Sequence, residues 1–98
     1  MDRKKLEELR RDVRNLRRTP QKARALETLA RKLGRKQENR GKEPTYESEV
    51  FPHLYPLSIP HHGGRDLAPG TRNNILNQLE DDLAAWDEAL SLEENEDE

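Results

Sequence analysis

The sequence predicts a small α+β domain, and three observations carry that prediction. Apolar residues recur at three- and four-residue spacing in the first third of the chain and again after residue 75. Between these stretches, short runs around Thr45-Tyr46 and Leu57-Ser58-Ile59 alternate in the manner of strands with one buried face. The run Pro56-Leu-Ser-Ile-Pro-His-His-Gly-Gly-Arg-Asp-Leu-Ala-Pro-Gly-Thr-Arg-Asn-Asn-Ile-Leu76 then joins the two patterns through a strand, a glycine-rich turn and a helix start.

The first element is a helix over residues 2–18, with Leu6, Leu9, Val13 and Leu16 on a narrow stripe. Arg10, Arg11, Arg14, Arg17 and Arg18 crowd its other faces and repel one another unless something acidic covers them. Thr19-Pro20 predicts a second helix start, with threonine as N-cap and proline in the first turn. Ala23, Leu26, Leu29, Ala30 and Leu33 form its apolar face, and Gly34 is placed to end it.

Residues 35–43 contain no apolar residue and predict an exposed edge strand or loop, with residues 36–40 a candidate third strand. Thr45-Tyr46 begins a strand, Val50-Phe51-Pro52-His53 turns it, and Leu54 to Ile59 returns, giving an antiparallel hairpin that needs a helix on one face. Pro60 limits the return strand, because proline offers no N–H to a ladder. Gly63 and Gly64 permit a positive-φ turn, and Pro69-Gly70-Thr71 opens the last helix. That helix carries Ile75, Leu76, Leu79, Leu83, Trp86 and Leu90 on one side, with Glu80, Asp81 and Asp82 expected opposite and Trp86 expected to pack. The segments read as a helical extension at 1–18, a domain at 19–91 and a disordered acidic tail at 92–98.

Composition narrows the function classes. Of 98 residues, 31% are hydrophobic and 39% charged, so the core is small. The absence of cysteine excludes disulfides and thiolate metal sites. No apolar run approaches membrane-spanning length and the N-terminus lacks a signal-peptide core, so the expectation is a cytoplasmic protein without a membrane partner.

The net charge of −2 conceals an asymmetry: residues 1–42 hold 16 basic against 6 acidic side chains, residues 43–98 only 2 against 14. Such a basic segment suits phosphates or an acidic protein surface. It equally suits its own acidic half, within one chain or between two, which leaves the oligomeric state open.

Among candidate chemical groups, His61 and His62 are adjacent, so on an extended chain only one faces a given site. Either is a proton shuttle or a turn histidine bonded to backbone, and the turn reading is stronger for His53. Glu43, between Lys42 and Pro44, is a candidate general base or an ordinary surface carboxylate. His61, His62 and Asp66 lack the helical spacing of a metal site, so no metal and no cofactor is expected.

The run Ile59-Pro-His-His-Gly-Gly-Arg-Asp-Leu-Ala-Pro-Gly-Thr71, followed by Asn74-Ile75-Leu76, resembles the C-terminal half of the HicA (YcfA-like) toxins of bacterial toxin–antitoxin systems. Leu26 to Gly34 resembles that family's first helix, and Arg40-Gly41-Lys42-Glu43-Pro44-Thr45-Tyr46 falls where the family has a glycine-serine-histidine run; the likeness covers about residues 20–80. The resemblance implies an α-β-β-β-α fold similar to a double-stranded-RNA-binding domain, and an mRNA-cleaving endoribonuclease held in check by an antitoxin. The family's active histidine falls at Glu43 and the preceding serine at Lys42, while His62 aligns with its second, turn histidine. Glu43 and His62 are therefore the candidate catalytic residues, and Lys32, Arg35, Lys36, Arg40 and Lys42 the candidate RNA contacts. The same residues also fit a catalytically silent module that binds RNA or protein, or a charge-paired interaction protein.

Overall fold

The computed structural model describes residues 1–38, 44–60 and 64–96. Its elements are helices α1 (Arg3–Leu16) and α2 (Ala23–Lys32), strands β1 (Arg35–Glu38), β2 (Thr45–Ser48) and β3 (Leu57–Ser58), and helix α3 (Pro69–Glu96). The protein is thus α+β, with three helices and a three-stranded antiparallel sheet among the described residues.

Helix α1 starts where Asp2 accepts a hydrogen bond from the Lys5 backbone N–H at 2.7 Å, satisfying one of the donors a helix start leaves free. Its stripe of Leu6, Leu9 and Val13 is buried in the common core with Leu16 packed beside it. The helix expected to be an extension therefore helps to build the domain. Arg3 meets Asp87 and Glu94 while Arg17 meets Asn77 and Glu80, so α1 runs antiparallel along α3.

Helix α2 starts later than Thr19-Pro20 predicts. Lys22 occupies the N-cap without a side-chain cap, because residues 21–22 are used in extended pairing. The Leu67 N–H donates to the Gln21 carbonyl at 2.7 Å, and Lys22 bridges Asp66 antiparallel. The Thr19 hydroxyl accepts instead from the Gln21 side chain at 2.8 Å. Gly34 follows Leu33 at φ +97°, a conformation that costs a residue with a Cβ, and its N–H donates to the Arg31 carbonyl at 3.0 Å.

The sheet order is β1-β2-β3, with Lys36 opposite Glu47, Gln37 opposite Tyr46, and Tyr46 opposite Leu57. Strand period shows in β2, where Tyr46 and Ser48 are buried between half-buried Thr45 and Glu47. The predicted return strand from Leu54 shortens to Leu57–Ser58. Before it the chain turns tightly, the Leu54 N–H donating to the Phe51 carbonyl at 3.0 Å and the Ser48 hydroxyl accepting from the Phe51 N–H at 3.0 Å.

Proline at the first position of α3 loses no intrahelical bond. At 28 residues the helix is about 42 Å long and continues through Glu96, past the point where a tail was expected. Leu90 still reaches the core there and Arg3 takes up Glu94, so the final turns are held to α1. Trp86 packs as expected: its Nε1–H donates to the Leu33 carbonyl at 2.7 Å, and Phe51 meets its ring edge-on at 4.8 Å.

Candidate functional site

The sequence asymmetry between a basic front and an acidic back resolves in part into ion pairs inside the chain. Arg3 and Arg10 both hold Asp87, Arg3 also reaches Glu94, and Arg17 meets Glu80 at 3.0 Å. Asp87 is held below the usual carboxylate range, chiefly by its hydrogen bonds to Arg3 and then Arg10. Of the arginines crowded on α1, Arg10 and Arg17 find acidic cover on α3, while Arg11, Arg14 and Arg18 stay exposed and make no ion pair among the described residues.

Arg35, a candidate RNA contact, is buried, and its guanidinium is committed within the fold. Its Nε donates to Asp82 Oδ2 at 2.7 Å and its Nη2 to Asp82 Oδ1 at 2.8 Å. Its Nη1 donates to the Tyr46 and Tyr55 carbonyls at 2.8 and 2.9 Å. This removes Arg35 from the surface available to phosphate. Asp82 likewise does not lie opposite the apolar stripe: it sits on the stripe's edge, three residues from Leu79 and four from Trp86, and turns inward. Burial pushes its carboxyl above the usual range, with the Arg35 hydrogen bonds pulling against that shift. Sequence reasoning missed the pair; the available signal was Asp82 sharing the three-four spacing of Leu79 and Trp86.

Lys32 stands exposed in the last turn of α2. Lys36 is exposed on β1, where it meets Glu49 at 3.7 Å across the surface, a pairing worth little in water. Arg40, Lys42, Glu43 and His62 lie outside the described residues, as does His61. Their described neighbours in the chain come together, since the Ile59 N–H donates to the Pro44 carbonyl at 3.4 Å.

Exposed cations lie on both α1, at Lys4, Lys5, Arg11 and Arg14, and on and beside α2. Lys22, Arg24 and Lys32 make no ion pair among the described residues, and they border a cleft of about 680 Å³ between α1 and α2 whose floor includes Leu16, Ala25 and Leu29. Asp12 and Asp66 also border it, so the cleft is mixed in sign with a cationic excess. Arg31 donates to the Gln37 side chain at 3.3 Å and lies 5.8 Å from the centre of the Tyr46 ring. Burial raises the Tyr46 hydroxyl above its usual range, Glu27 adding to that and Arg31 opposing it.

Among the described residues no three His, Asp or Glu side chains gather to hold a metal ion, and no helix is long and apolar enough to cross a membrane. Comparison with protein-family models, curated proteins and solved structures returned no match.

Proposed function

We propose that the chain is a HicA-like RNA-binding protein. The observation that carries this reading is the element order α2-β1-β2-β3-α3 around a β1-β2-β3 antiparallel sheet. It coincides with the α-β-β-β-α order, similar to a double-stranded-RNA-binding domain, that the sequence resemblance implies. The exposed cations of α2 support the same reading, because phosphate contacts from Lys and Arg supply most of the affinity for nucleic acid. In this reading Lys32 and Lys36 contact phosphate together with Arg40 and Lys42, Glu43 and His62 are the residues to test for cleavage, and an antitoxin protein is the expected partner.

The test is fluorescence anisotropy of a labelled single-stranded RNA across a salt series. On a log–log plot affinity falls by about 0.7 per phosphate contact, and Lys32→Ala lowers the slope by about that amount. Absent or salt-insensitive binding sinks the reading. Cleavage is scored on the same RNA with the wild type beside Glu43→Ala and His62→Ala. Loss in one variant marks a ribonuclease, and binding without cutting marks a silent module on the same fold.

A second reading, a charge-paired interaction protein, draws on a different observation: Arg3, Arg10 and Arg17 all pair with α3 of their own chain. Much of the basic excess then serves the fold. Under this reading RNA affinity is negligible even at low salt.

A further inference from the structure

A second cleft, of about 460 Å³, opens beside α3, with Leu54, Tyr55 and Pro56 on one side and Gln78 and Asp81 on the other. Three features distinguish it. Tyr55 is 84% exposed although its own carbonyl is pinned by Arg35 Nη1 at 2.9 Å, so a fixed backbone presents an aromatic side chain to solvent. The Oε1 of Gln78 is buried and accepts no hydrogen bond among the described residues, which leaves a desolvated acceptor uncompensated. Asp81 is exposed and makes no ion pair among the described residues.

The cleft therefore offers a carboxylate, an aromatic face and the apolar surfaces of Leu54 and Pro56. Its occupant must be a planar, cationic group with several N–H donors and an apolar stem. Arg35 borders the cleft, but its charge is matched by Asp82 and four of its five N–H donors are spent inward. His53 adds an imidazole at the border and pairs with no carboxylate among the described residues. Along α3 the outer side continues with exposed Glu88, and residues 80–98 include ten acidic and no basic side chains, so the approach favours a cation.

We propose that this cleft receives an arginine side chain from a segment of a partner protein. The guanidinium stacks on Tyr55 and donates in paired fashion to Asp81, while the methylene stem lies on Leu54 and Pro56. A lysine offers one compact, strongly hydrated charge and cannot stack and fork in this way. A guanine base carries comparable paired donors, but its phosphate meets the acidic side of α3. The site uses acidic and aromatic groups rather than the cations of α2, and so stands independently of the RNA reading.

The experiment is an amide chemical-shift titration of the full chain with acetyl-Gly-Arg-Gly-amide, its lysine counterpart and GMP. The expected result is saturable shifts at Tyr55 and Gln78 with the arginine peptide alone. Binding weakens about tenfold or more in Asp81→Asn, as expected for losing hydrogen bonds to a charged group. It weakens also in Tyr55→Ala and survives in Tyr55→Phe, which keeps the ring. Unchanged dispersion elsewhere in the spectrum reports that each variant is folded. Equal response to the lysine peptide, saturation by GMP instead, or undiminished binding in Asp81→Asn overturns the proposal. Shifts at the same residues on diluting the protein alone place a second copy in the cleft, through an exposed arginine such as Arg11 or Arg14, and overturn the assignment to another chain.

Discussion

Arg35 and Asp82 face each other through two parallel hydrogen bonds of 2.7 and 2.8 Å, with each side chain only 1% exposed. The same guanidinium ties the carbonyls of Tyr46 on β2 and Tyr55 in the following loop, so one arginine joins three parts of the chain. Removing either partner leaves a charge buried without its counterion. Asp82→Ala or Arg35→Ala is expected to destabilise by about 3–5 kcal/mol in urea unfolding. The double replacement Arg35→Met with Asp82→Leu should recover much of that loss, because an apolar pair avoids the desolvation of two charges. Equal losses for single and double variants would show that the backbone ties, not the ion pair, carry the stability.

Acid sensitivity should trace to Asp87. Its folded carboxyl titrates below the ordinary value because Arg3 and Arg10 hold the ionised form. A depressed folded value gives stability that is present above the unfolded carboxylate range and lost as pH falls through the folded value. Thermal melts taken from neutral to strongly acid pH should therefore show a loss that Asp87→Asn flattens. An unchanged acid limb in the variant would move the cause to other carboxylates.

Gly34→Ala should cost about 1–2 kcal/mol, all of it from backbone conformation. The residue has φ +97°, whereas an added Cβ would sit at ordinary contact, 3.6 Å from Trp86 Cζ2 and 3.8 Å from Val50 Cγ2. A stability change near zero on chemical unfolding would show that the turn relaxes to accept a side chain.

Trp86→Phe keeps an aromatic ring for Phe51 but removes the donor to the Leu33 carbonyl. The expected loss is about 1–3 kcal/mol by circular dichroism melts, the penalty for leaving a carbonyl at a helix end without its partner. A melt matching the wild type would mean that water replaces the indole N–H.

The helices were legible because each carries a three-four stripe, and Gly34 marked the end of α2 for the reason that a positive φ excludes most other residues. The start of α2 was not, since Thr19-Pro20 has the local chemistry of a cap and only the pairing of residues 21–22 with 66–67 overrides it. Arg35 read as a surface cation because strand residues without apolar neighbours usually face water, and its partner Asp82 lies 47 positions away. The final turns of α3 read as a tail because the pairing of Glu94 with Arg3 spans 91 positions. Of the candidate RNA contacts, Lys32 and Lys36 are exposed and Arg35 is buried. The pinned loop around Tyr55 left no periodic trace to find.

The antiparallel seating of α1 on α3 has a bearing on how the chain is made. The ribosome delivers Leu6, Leu9 and Val13 first and the helix that covers them last, with Arg10 and Asp87 separated by 77 positions. At roughly 5–20 residues per second the first helix spends several seconds as a greasy strip without its mate. Arg10 and Arg17, which the mature fold pairs with α3, are then unpaired beside Arg11, Arg14 and Arg18, and these like charges keep nascent copies apart until α3 arrives.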